Sequence, residues 1–479
     1  MMRISRRTLF IGAGAGALSV LLASCTPDGP PRPDPTRSPH PTVTPTPVGE
    51  VPAPTSFFRT AWAQDPFARG ARSVTPAGAT ATDRQALAAA LMERVFFAGE
   101  ATSVERPGTI AGAMRSGERA ASEIKDVAGD GERIAVVGAG AAGASAAARL
   151  VEAGFDVTVI EARDHVGGRL TTHPGDDWPV PPQQGAWLLG AEDTEVASRM
   201  ALLGVGAVEI GDPVGFTRDG EADVPSADRV EDALSAVASD MSDRTIADAL
   251  AEAGVEGSPE LTSVLASLSA MTGIDPTTAS SWFAPGMPGG SYDALVSDVA
   301  PFVESVLGDL EVTLSTVVSN VTYDDKGVSL RLASGESLTF DRVTLTVPLG
   351  VLQAGGIEFN PPLPFAHRGA ISTLEMGHIE SVWLRYETPF WSTNAGIWHI
   401  VGPVSATPTP TPTPSPGEEP APDVTVRTWI NLMPATGEPI LVGLVGGEAA
   451  RAMAELSDDD VFTLAATSLA PFTEPAPSE

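Results

Sequence analysis

The sequence predicts an α/β protein with a central parallel sheet and a second, α+β domain beside it. An apolar run at Ile134–Val137 leads into a Gly-x-Gly-x-x-Gly turn at 138–143. A helix rich in small residues follows, and then a second apolar run at Val157–Ile160. Strand, glycine turn, helix and strand in this order predict a Rossmann-like dinucleotide-binding unit. Alternating apolar residues over 357–450 predict the mixed sheet of the second domain.

The elements of this unit each have a local cause. The glycines allow a tight turn and bring backbone N–H groups close to a pyrophosphate at a helix N-terminus. Residues 144–153 favour helix, and Gly154 ends it. Glu161 lies 18 residues after Gly143, at the end of the second strand. A carboxylate there can accept hydrogen bonds from ribose hydroxyls.

Four further blocks carry a family resemblance. They are Trp62-Ala-Gln-Asp-Pro-Phe, Val95-Phe-Phe-Ala-Gly-Glu, Pro107-Gly-Thr-Ile-Ala-Gly and Gly167-Gly-Arg. They resemble the flavin amine oxidases, which include monoamine and polyamine oxidases, lysine-specific histone demethylases and L-amino acid oxidases. The resemblance implies FAD bound in a Rossmann-like domain of the GR2 type. In that family the first three blocks lie at the C-terminal end, so the resemblance also implies a circularly permuted chain. The alternative is an unrelated N-terminal domain.

The resemblance assigns the cofactor contacts residue by residue. Glu100 is expected at the ribityl-diphosphate region, and the N–H groups near Thr109 and Ile110 at the flavin N1/O2 edge. FAD is expected to be non-covalent, because the block at 70–73 has no cysteine. The full set of expected FAD contacts is Gly99, Glu100, Thr109, Ile110, Gly138, Gly140, Ala142, Gly143, Glu161, Ala162, Arg163, Gly168, Arg169, Gly185, Ala186, Trp187 and Val318. No metal ion is expected.

The predicted organisation alternates between the two domains. We expect a strand over Leu314–Tyr323 and a helix over about Ile110–Lys125. The Pro/Thr-rich tract at 404–423 is expected to be a disordered insertion. The boundaries are a signal at 1–25, a Pro/Thr-rich linker at 26–55, a permuted part of the FAD-binding domain at 56–125, a joining loop at 126–132, the Rossmann core at 133–190, the helical part of the substrate domain at 191–310, a return to the FAD domain at 311–356, and the substrate-domain sheet at 357–479.

The N-terminal residues predict export. The twin-arginine form at 5–10 is followed by an apolar stretch that ends in Leu22-Ala-Ser-Cys25, which resembles a lipoprotein box. We therefore expect lipidation at Cys25 and an extracytoplasmic protein anchored by lipid to the cell membrane. The alternative is an incidental thiol in a cleaved signal. A lone cysteine excludes internal disulfides.

The resemblance also implies a reaction. Hydride transfer from the carbon next to a neutral amine to flavin N5 gives an imine, and oxygen as acceptor gives hydrogen peroxide. Ser381 occupies the position of the lysine that in most members assists flavin reoxidation. His378 and Glu380 could replace it as polar groups, or they are solvated residues. Arg72 stands where the family often has an aromatic residue near the flavin face. Candidates for other aromatic contacts are Trp62, Trp391, Trp398 and Trp429, each of which could equally belong to the core.

The net charge of the chain limits the classes of molecule that it can bind. The formal net charge of −32 argues against nucleic acid, whose phosphates need basic groups. It could attract cationic amines, or it could serve solubility alone. Two alternatives to an amine oxidase stay open. One is an FAD-dependent dehydrogenase or desaturase of an apolar substrate, and the other is a non-catalytic flavin-binding lipoprotein. The oligomeric state is not specified by the sequence.

Overall fold

A computed structural model describes residues 51–175, 177–284, 292–404 and 423–473 of the 479-residue chain. Its strands are β1 (Ser56–Arg59), β2 (Arg72–Val74), β3 (Val95–Phe97), β4 (Arg133–Val137), β5 (Asp156–Ile160), β6 (Leu188–Leu189), β7 (Ala207–Ile210), β8 (Pro213–Thr217), β9 (Gly220–Ala222), β10 (Tyr292–Leu295), β11 (Val312–Thr313), β12 (Val318–Tyr323), β13 (Val328–Leu332), β14 (Ser337–Phe340), β15 (Arg342–Leu345), β16 (Glu358–Asn360), β17 (Glu375–Gly377), β18 (Ile379–Arg385), β19 (Ile397–Ile400), β20 (Thr428–Asn431) and β21 (Ile440–Gly446).

The α-helices are interspersed with these strands along the chain. They are α1 (Ala81–Ala88), α2 (Ile110–Val127), α3 (Ala141–Glu152), α4 (Thr194–Leu202), α5 (Asp228–Val237), α6 (Ile246–Glu252), α7 (Pro259–Thr272), α8 (Ala300–Leu307), α9 (Leu349–Gln353), α10 (Phe365–Thr373), α11 (Met433–Thr436), α12 (Gly447–Ala454) and α13 (Asp458–Leu469).

A parallel sheet with the strand order β11-β5-β4-β15-β3 confirms the predicted Rossmann-like unit. The strand predicted at Ile134–Val137 is β4, and both of its faces are buried. Ile134 and Val136 pack on one side, among residues of α2 and α3. Ala135 and Val137 pack on the other, among residues of β12 and β13. A strand that is apolar at every position is typical of a sheet covered on both faces.

Two helices cover one face of this sheet at close range. A Cβ at Gly117 in α2 would lie 2.1 Å from the carbonyl oxygen of Ala142 in α3, so glycine permits this approach. The predicted helix at Ile110–Lys125 is α2, and it ends two residues later. The predicted helix at 144–153 is α3, which starts three residues earlier because Gly140 is its N-cap.

A four-stranded sheet, β14-β13-β12-β16, covers the other face. The strand predicted from Leu314 begins only at Val318. The reason is local: Ser315 has φ +52, and its N–H donates to the carbonyl oxygen of Arg163 rather than to a neighbouring strand. Residues 314–317 are therefore the link between two sheets.

A seven-stranded mixed sheet, β1-β18-β21-β20-β19-β8-β9, forms the second domain. Two placements differ from the expectation. β1 lies in this sheet against β18, although the segment from residue 56 was assigned to the FAD-binding part. β16 lies in the four-stranded sheet beside β12, although its residues were assigned to the substrate sheet. Phe390 and Trp391 lie in the tract 357–450 that was expected to form strands, but neither belongs to a strand, and both rings pack edge-on to Tyr386.

The segment predicted to be helical, 191–310, contains strands as well as helices. β8 and β9 form a hairpin whose turn includes Asp219-Gly220, a sequence favoured in such turns. β7 and β10 pair with each other, and β10 also pairs with β6. The helical assignment of this segment was therefore too simple.

Several predictions concern residues outside those that the structure describes. The twin-arginine stretch, Cys25 and the linker to residue 50 are among them, as are residues 405–422 of the Pro/Thr tract. In the described part of the chain, the helices are too short or too polar to cross a membrane.

Candidate active site

A cavity of ≈ 1070 Å³ lies between the parallel sheet and the seven-stranded sheet. On one side it touches the carboxyl ends of β4 and β5, at Gly138 and Glu161. On the other side it reaches β18 and β21, at Ser381 and Leu444. The carboxyl ends of parallel strands are the usual place for ligands in open α/β sheets. The predicted cofactor residues and the predicted catalytic position therefore share one cavity.

The glycine turn is shaped by close packing. Gly138 has φ +106, and a Cβ there would lie 2.3 Å from the Oγ1 of Thr346. Gly143 does not line the cavity. A Cβ at Gly143 would lie 1.9 Å from the carbonyl oxygen of Gly138, so this glycine lets α3 pack against the turn. Every other residue in the predicted set of FAD contacts lines the cavity.

Glu161 is buried at the end of β5, where its carboxylate holds two backbone groups. It accepts hydrogen bonds from the N–H of Ala139 at 2.7 Å and from the N–H of Arg163 at 2.8 Å. A carboxylate has about four lone-pair sites, so acceptor capacity remains for a ligand. Glu161 therefore fixes the glycine turn while facing the cavity.

Arg163 is committed to a partner within the protein. Its two terminal nitrogens donate to the two carboxylate oxygens of Asp65, each at 2.8 Å. The guanidinium also lies 5.8 Å from the Trp62 ring centroid and 5.6 Å from that of Phe67. Trp62 in turn donates its Nε1–H to the carbonyl oxygen of Gln184 at 2.6 Å. The early Trp…Asp-Pro-Phe block thus clamps the segment after β5.

Glu100 joins four groups in the cavity wall. Its carboxylate accepts hydrogen bonds from the backbone and hydroxyl of Ser73, from the N–H of Gly108, and from Arg169 at 2.9 Å. Burial raises the pKa of Glu100, but the charge of Arg169 and the Ser73 hydrogen bond outweigh it and hold that pKa below its ordinary value. Glu100 is therefore an ionised, fully engaged group.

Two helix N-termini open on the cavity. Thr109 is the N-cap of α2, and its Oγ1 accepts a hydrogen bond from the N–H of Gly112 at 3.0 Å. Gly140 is the N-cap of α3. Both residues line the cavity. The positive ends of the two helix dipoles make this wall suited to anionic groups.

The strand β18 brings a second kind of chemistry to the cavity. Ser381 lines it, and its Oγ accepts a hydrogen bond from the Nε1–H of Trp383 at 3.1 Å. Its neighbour Glu380 does not line the cavity. Glu380 is fully buried, so its interpretation as a solvated residue is wrong. It accepts hydrogen bonds from the Thr60 hydroxyl at 2.6 Å and from the N–H of Ala63 at 3.0 Å. Burial raises the pKa of Glu380 to about 7, although these hydrogen bonds oppose the rise.

Other candidates fall away from the cavity. His378 is half-buried and does not line it. Of the four tryptophans, Trp62 lines the cavity, whereas Trp391, Trp398 and Trp429 pack in the core around the seven-stranded sheet. The alternative that these three are core residues is therefore confirmed.

Comparison with known proteins settles the family. The family model of flavin containing amine oxidoreductases matches residues 44–125 and 220–478, and that of NAD(P)-binding Rossmann-like domains matches residues 136–200. The chain belongs to the flavin containing amine oxidoreductases. As a member of this family it is an FAD-dependent oxidoreductase of amines.

Individual relatives are distant. Probable polyamine oxidase 4 of Arabidopsis thaliana is 28% identical over 362 residues, which cover 68% of this chain and 68% of that protein. Lysine-specific histone demethylase 1B of Mus musculus is 27% identical over 291 residues, covering 54% of this chain and 35% of that protein. A solved structure of wild-type putrescine oxidase bound to putrescine aligns with a TM-score of 0.55 at 22% identity, covering 72% of this chain and 82% of that one. That likeness shows the fold.

The residues of this amine oxidoreductase fit FAD. Glycines at 138, 140, 167 and 168 form a cradle in which Gly140 pairs with Gly167. A Cβ at Gly138 would lie 2.3 Å from the Thr346 Oγ1, and one at Gly167 would lie 2.4 Å from the carbonyl oxygen of Leu170. The helix N-termini at Thr109 and Gly140 offer positive potential, and Glu161 offers an acceptor. An elongated ligand with a diphosphate and ribose hydroxyls matches this donor set.

The substrate side of the cavity was largely missed from the sequence. Its wall includes Thr60, Thr272, Ile274 and Phe283, none of which was assigned. They come from a strand end and from the region of α7, far apart in the chain. The spacing of the glycines predicted the cofactor side of the cavity, whereas no local sequence pattern identifies these four residues as part of a site.

Proposed function

We propose that this protein oxidises an amine with FAD bound non-covalently, and that oxygen is the final acceptor, yielding hydrogen peroxide. The single observation that carries the proposal is the shared cavity. The glycine cradle lines one side of it, and Ser381 and Leu444 line the other side. Bound FAD supplies the acceptor for a hydride from the carbon next to the amine nitrogen. The imine formed is then hydrolysed by water.

The protein's own residues hold and orient the cofactor. We assign this role to the predicted set of FAD contacts, except that Gly143 acts by packing α3. Glu161 keeps the glycine turn in place, and Glu100 fixes Arg169 and Gly108 around the wall. The N-terminus of α2 at Thr109 places a positive dipole where negative charge develops on reduction.

Non-covalent attachment rests on the sequence beside the cavity. The residues at 70–73 are Gly-Ala-Arg-Ser, and the one cysteine of the chain is Cys25. Acid precipitation of purified protein should release all of the flavin into the supernatant. Flavin that stays with the precipitate would contradict this assignment.

The reaction is tested with the purified, flavin-loaded protein. Anaerobic mixing with a panel of amines should bleach the flavin spectrum, and admitting air should restore it with one peroxide formed for each amine consumed. Gly138→Val is the matched negative control, because its side chain would enter the cavity wall at Thr346. A flavin that no amine reduces would overturn the proposal.

Ser381 favours a second candidate, a dehydrogenase that passes electrons to another acceptor. Its hydroxyl is already engaged by Trp383, and the resemblance expects a lysine at this position to assist reoxidation. The test is stopped-flow reoxidation of amine-reduced protein by oxygen, comparing wild type with Ser381→Lys. Slow wild-type reoxidation that Ser381→Lys accelerates favours the dehydrogenase. Fast wild-type reoxidation favours the oxidase.

We also propose that the chain is exported and anchored by lipid at Cys25. The twin-arginine form at 5–10 and the Leu-Ala-Ser-Cys box support this. Expressed in a bacterial host, the wild type should fractionate with membranes, and Cys25→Ala should become soluble outside the cytoplasm. Cys25→Ala that fractionates like wild type would contradict the anchor.

We also propose that the chain is circularly permuted, so that its sequence blocks follow one another in a different order from that of the family. It is supported by β3, which completes the sheet beside β15 although it precedes β4 in the chain. Only residues 128–132 join α2 to β4. A rearranged chain that begins at Arg133 and carries residues 44–125 after residue 479 should fold and bind flavin. A rearranged chain that aggregates without flavin would contradict the proposal.

A further inference from the structure

Arg72 is a cation in the cavity wall without a matching anion. It lies on β2, opposite Gly377 of β17. One terminal nitrogen donates to the carbonyl oxygen of Pro107 at 3.3 Å, and the buried Nε–H has no hydrogen-bond partner in the described part of the protein. No carboxylate among the described residues forms an ion pair with it. A buried, unpaired donor of this kind is unfavourable unless a ligand completes it.

The carboxylate that acts most strongly on Arg72 already has other hydrogen-bond partners. Glu100 acts on it more strongly than any other charge, but its oxygens are bound by Ser73, Gly108 and Arg169. Burial lowers the pKa of Arg72, which marks the loss of water around the guanidinium as the dominant effect. Arg72, half-buried in the cavity wall, is therefore left without an anion of its own.

The backbone makes room for this guanidinium. A Cβ at Gly108 would lie 2.4 Å from the Nε of Arg72 and 2.7 Å from its Nη2. Glycine at 108, with φ +70, therefore lets the side chain lie flat against the chain just before the α2 N-cap, Thr109. The guanidinium therefore lies where the two walls meet, and its positive potential adds to that of the helix N-terminus.

The same cavity offers little to a second ammonium group. Among the described lining residues, Glu100 and Glu161 are engaged internally and Asp193 pairs with Arg106 at 2.8 Å. Glu192 also lines the cavity but is exposed. The wall near β18 is otherwise apolar or hydroxylic, as at Ile274, Phe283 and Ser381.

We propose that Arg72 binds a carboxylate of the substrate, so that the amine oxidised is an amino acid. The inference rests on the proposed function and names its substrate class. A guanidinium presents a planar fork of donors that matches the two oxygens of a carboxylate. Arg72 pairs in register with Gly377, which lies two residues before Ile379 of the cavity wall. Because its side chain also contacts Gly108, Arg72 lies between the cofactor side and the side that carries Ser381. The other possible acceptor is a carbonyl oxygen of the flavin, since the N1/O2 edge is expected near Thr109.

Binding is tested without turnover. The full-length, flavin-loaded protein is titrated with benzoate and, as its neutral counterpart, with benzamide, following the flavin difference spectrum. We expect benzoate to bind the wild type about 10–100-fold more tightly than Arg72→Gln, the range for a lost charge-assisted hydrogen bond. Benzamide should bind both equally, and Arg72→Lys should lie between. Arg115→Gln, at a half-exposed arginine outside the cavity lining, is the matched control.

Two results of this titration would overturn the inference. One is equal benzoate affinity in wild type and Arg72→Gln. The other is an Arg72→Gln protein whose flavin affinity and unliganded spectrum change while benzoate discrimination over benzamide persists. That second result would assign the guanidinium to the flavin carbonyl edge.

Substrate pairs provide an independent arm. Ornithine and putrescine differ by one carboxylate, as do leucine and 3-methylbutylamine. We expect the amino acid of each pair to reduce the wild-type flavin at least 10-fold more efficiently, and Arg72→Gln to remove this preference through KM. A wild-type preference for the plain amines would overturn the inference while leaving the proposed function intact. Reduction by none of the compounds would refute the proposed function, and the benzoate titration would still decide the role of Arg72.

Discussion

The two walls of the cavity differ in how completely their charges are matched. On the dinucleotide side, Arg163 has Asp65 and Arg169 has Glu100, each pair within 2.9 Å. Toward the substrate side, Arg72 lacks an ion-pair partner among the described residues. Behind that wall, Glu380 does not line the cavity and is buried beside neutral hydrogen-bond donors. Paired charges fix the geometry of the wall that contains them. Unpaired charged groups remain available to bind a ligand or to exchange a proton.

This difference indicates where the chain departs from its family. The matched wall contains the blocks that carry the resemblance, such as Trp62-Ala-Gln-Asp65 and Gly167-Gly-Arg169. The unmatched wall contains both departures from it, Ser381 and Arg72. The cofactor wall therefore keeps the family pattern, whereas the residue that we propose to contact the substrate, Arg72, departs from it.

The largest expected effect is on the matched wall, from Gly143→Val. Its side chain would begin 1.9 Å from the Gly138 carbonyl oxygen, which is backbone and cannot move away cheaply. We expect loss of bound flavin and a lowered melting temperature, measured by absorbance ratio and thermal unfolding. Gly369→Ala, in α10 with open space around it, is the control and should be neutral or slightly stabilising. Full flavin content in Gly143→Val would contradict the packing role.

A smaller effect is expected from Asp65→Asn, which breaks the bidentate pair with Arg163. Removing one partner leaves a mostly buried guanidinium unpaired, at a cost of about 3 kcal/mol in the free energy of unfolding. The dissociation constant for FAD should rise as well, because the clamp on the segment after β5 loosens. Urea denaturation and FAD titration of the apoprotein measure both. Asp164→Asn, at the exposed neighbour of Arg163, should change neither.

The sequence predicted the matched wall well because its signals are local. The glycine turn, Ile134–Val137 and Glu161 are fixed by spacing and by apolar runs, and they fold as expected. The pairing of Asp65 with Arg163 spans 98 residues and could not be inferred from either segment alone. The Asp219-Gly220 turn was a local signal that could have revealed β8 and β9.

The unmatched wall was predicted poorly for a physical reason. Glu380 is charged and stands in an alternating strand, a pattern that favours a solvated face. Its carboxylate is buried against Thr60 and Ala63, which follow β1, and nothing in residues 379–385 shows that β1 pairs with β18. Likewise, Arg72 fits against Gly108 through a contact between segments 36 residues apart.

Glu380, buried behind the unmatched wall, makes the stability of the fold sensitive to pH. Its pKa in the folded protein, about 7, lies above its ordinary value of 4.5. The folded state therefore binds the proton more tightly, so this contribution to stability is complete below pH 4.5 and is lost as pH rises through 7.

We expect Glu380→Gln to exceed the wild type in unfolding free energy by about 2–3 kcal/mol at pH 8, and to lose that advantage near pH 5. The amide can keep both hydrogen bonds if the Thr60 hydroxyl rotates. Urea denaturation at a series of pH values measures the difference. Glu455→Gln, at an exposed carboxylate, corrects for the general acidity of the chain. A constant difference between wild type and Glu380→Gln across pH would show that this carboxylate does not titrate.

The smallest effect is expected from Ser381→Ala on the unmatched wall, which should lower stability without changing cofactor binding. Ser381→Ala removes the acceptor of the Trp383 Nε1–H, whose side chain is fully buried, and should cost about 1–2 kcal/mol in unfolding free energy. Flavin content should stay at the wild-type level, because the groups that cradle the cofactor lie on the opposite wall. Ser372→Ala, at an exposed hydroxyl in α10, is the control and should change stability little. If Ser381→Ala lost as much flavin as Gly143→Val, the unmatched wall would also be needed for cofactor binding, which would contradict the separation proposed here.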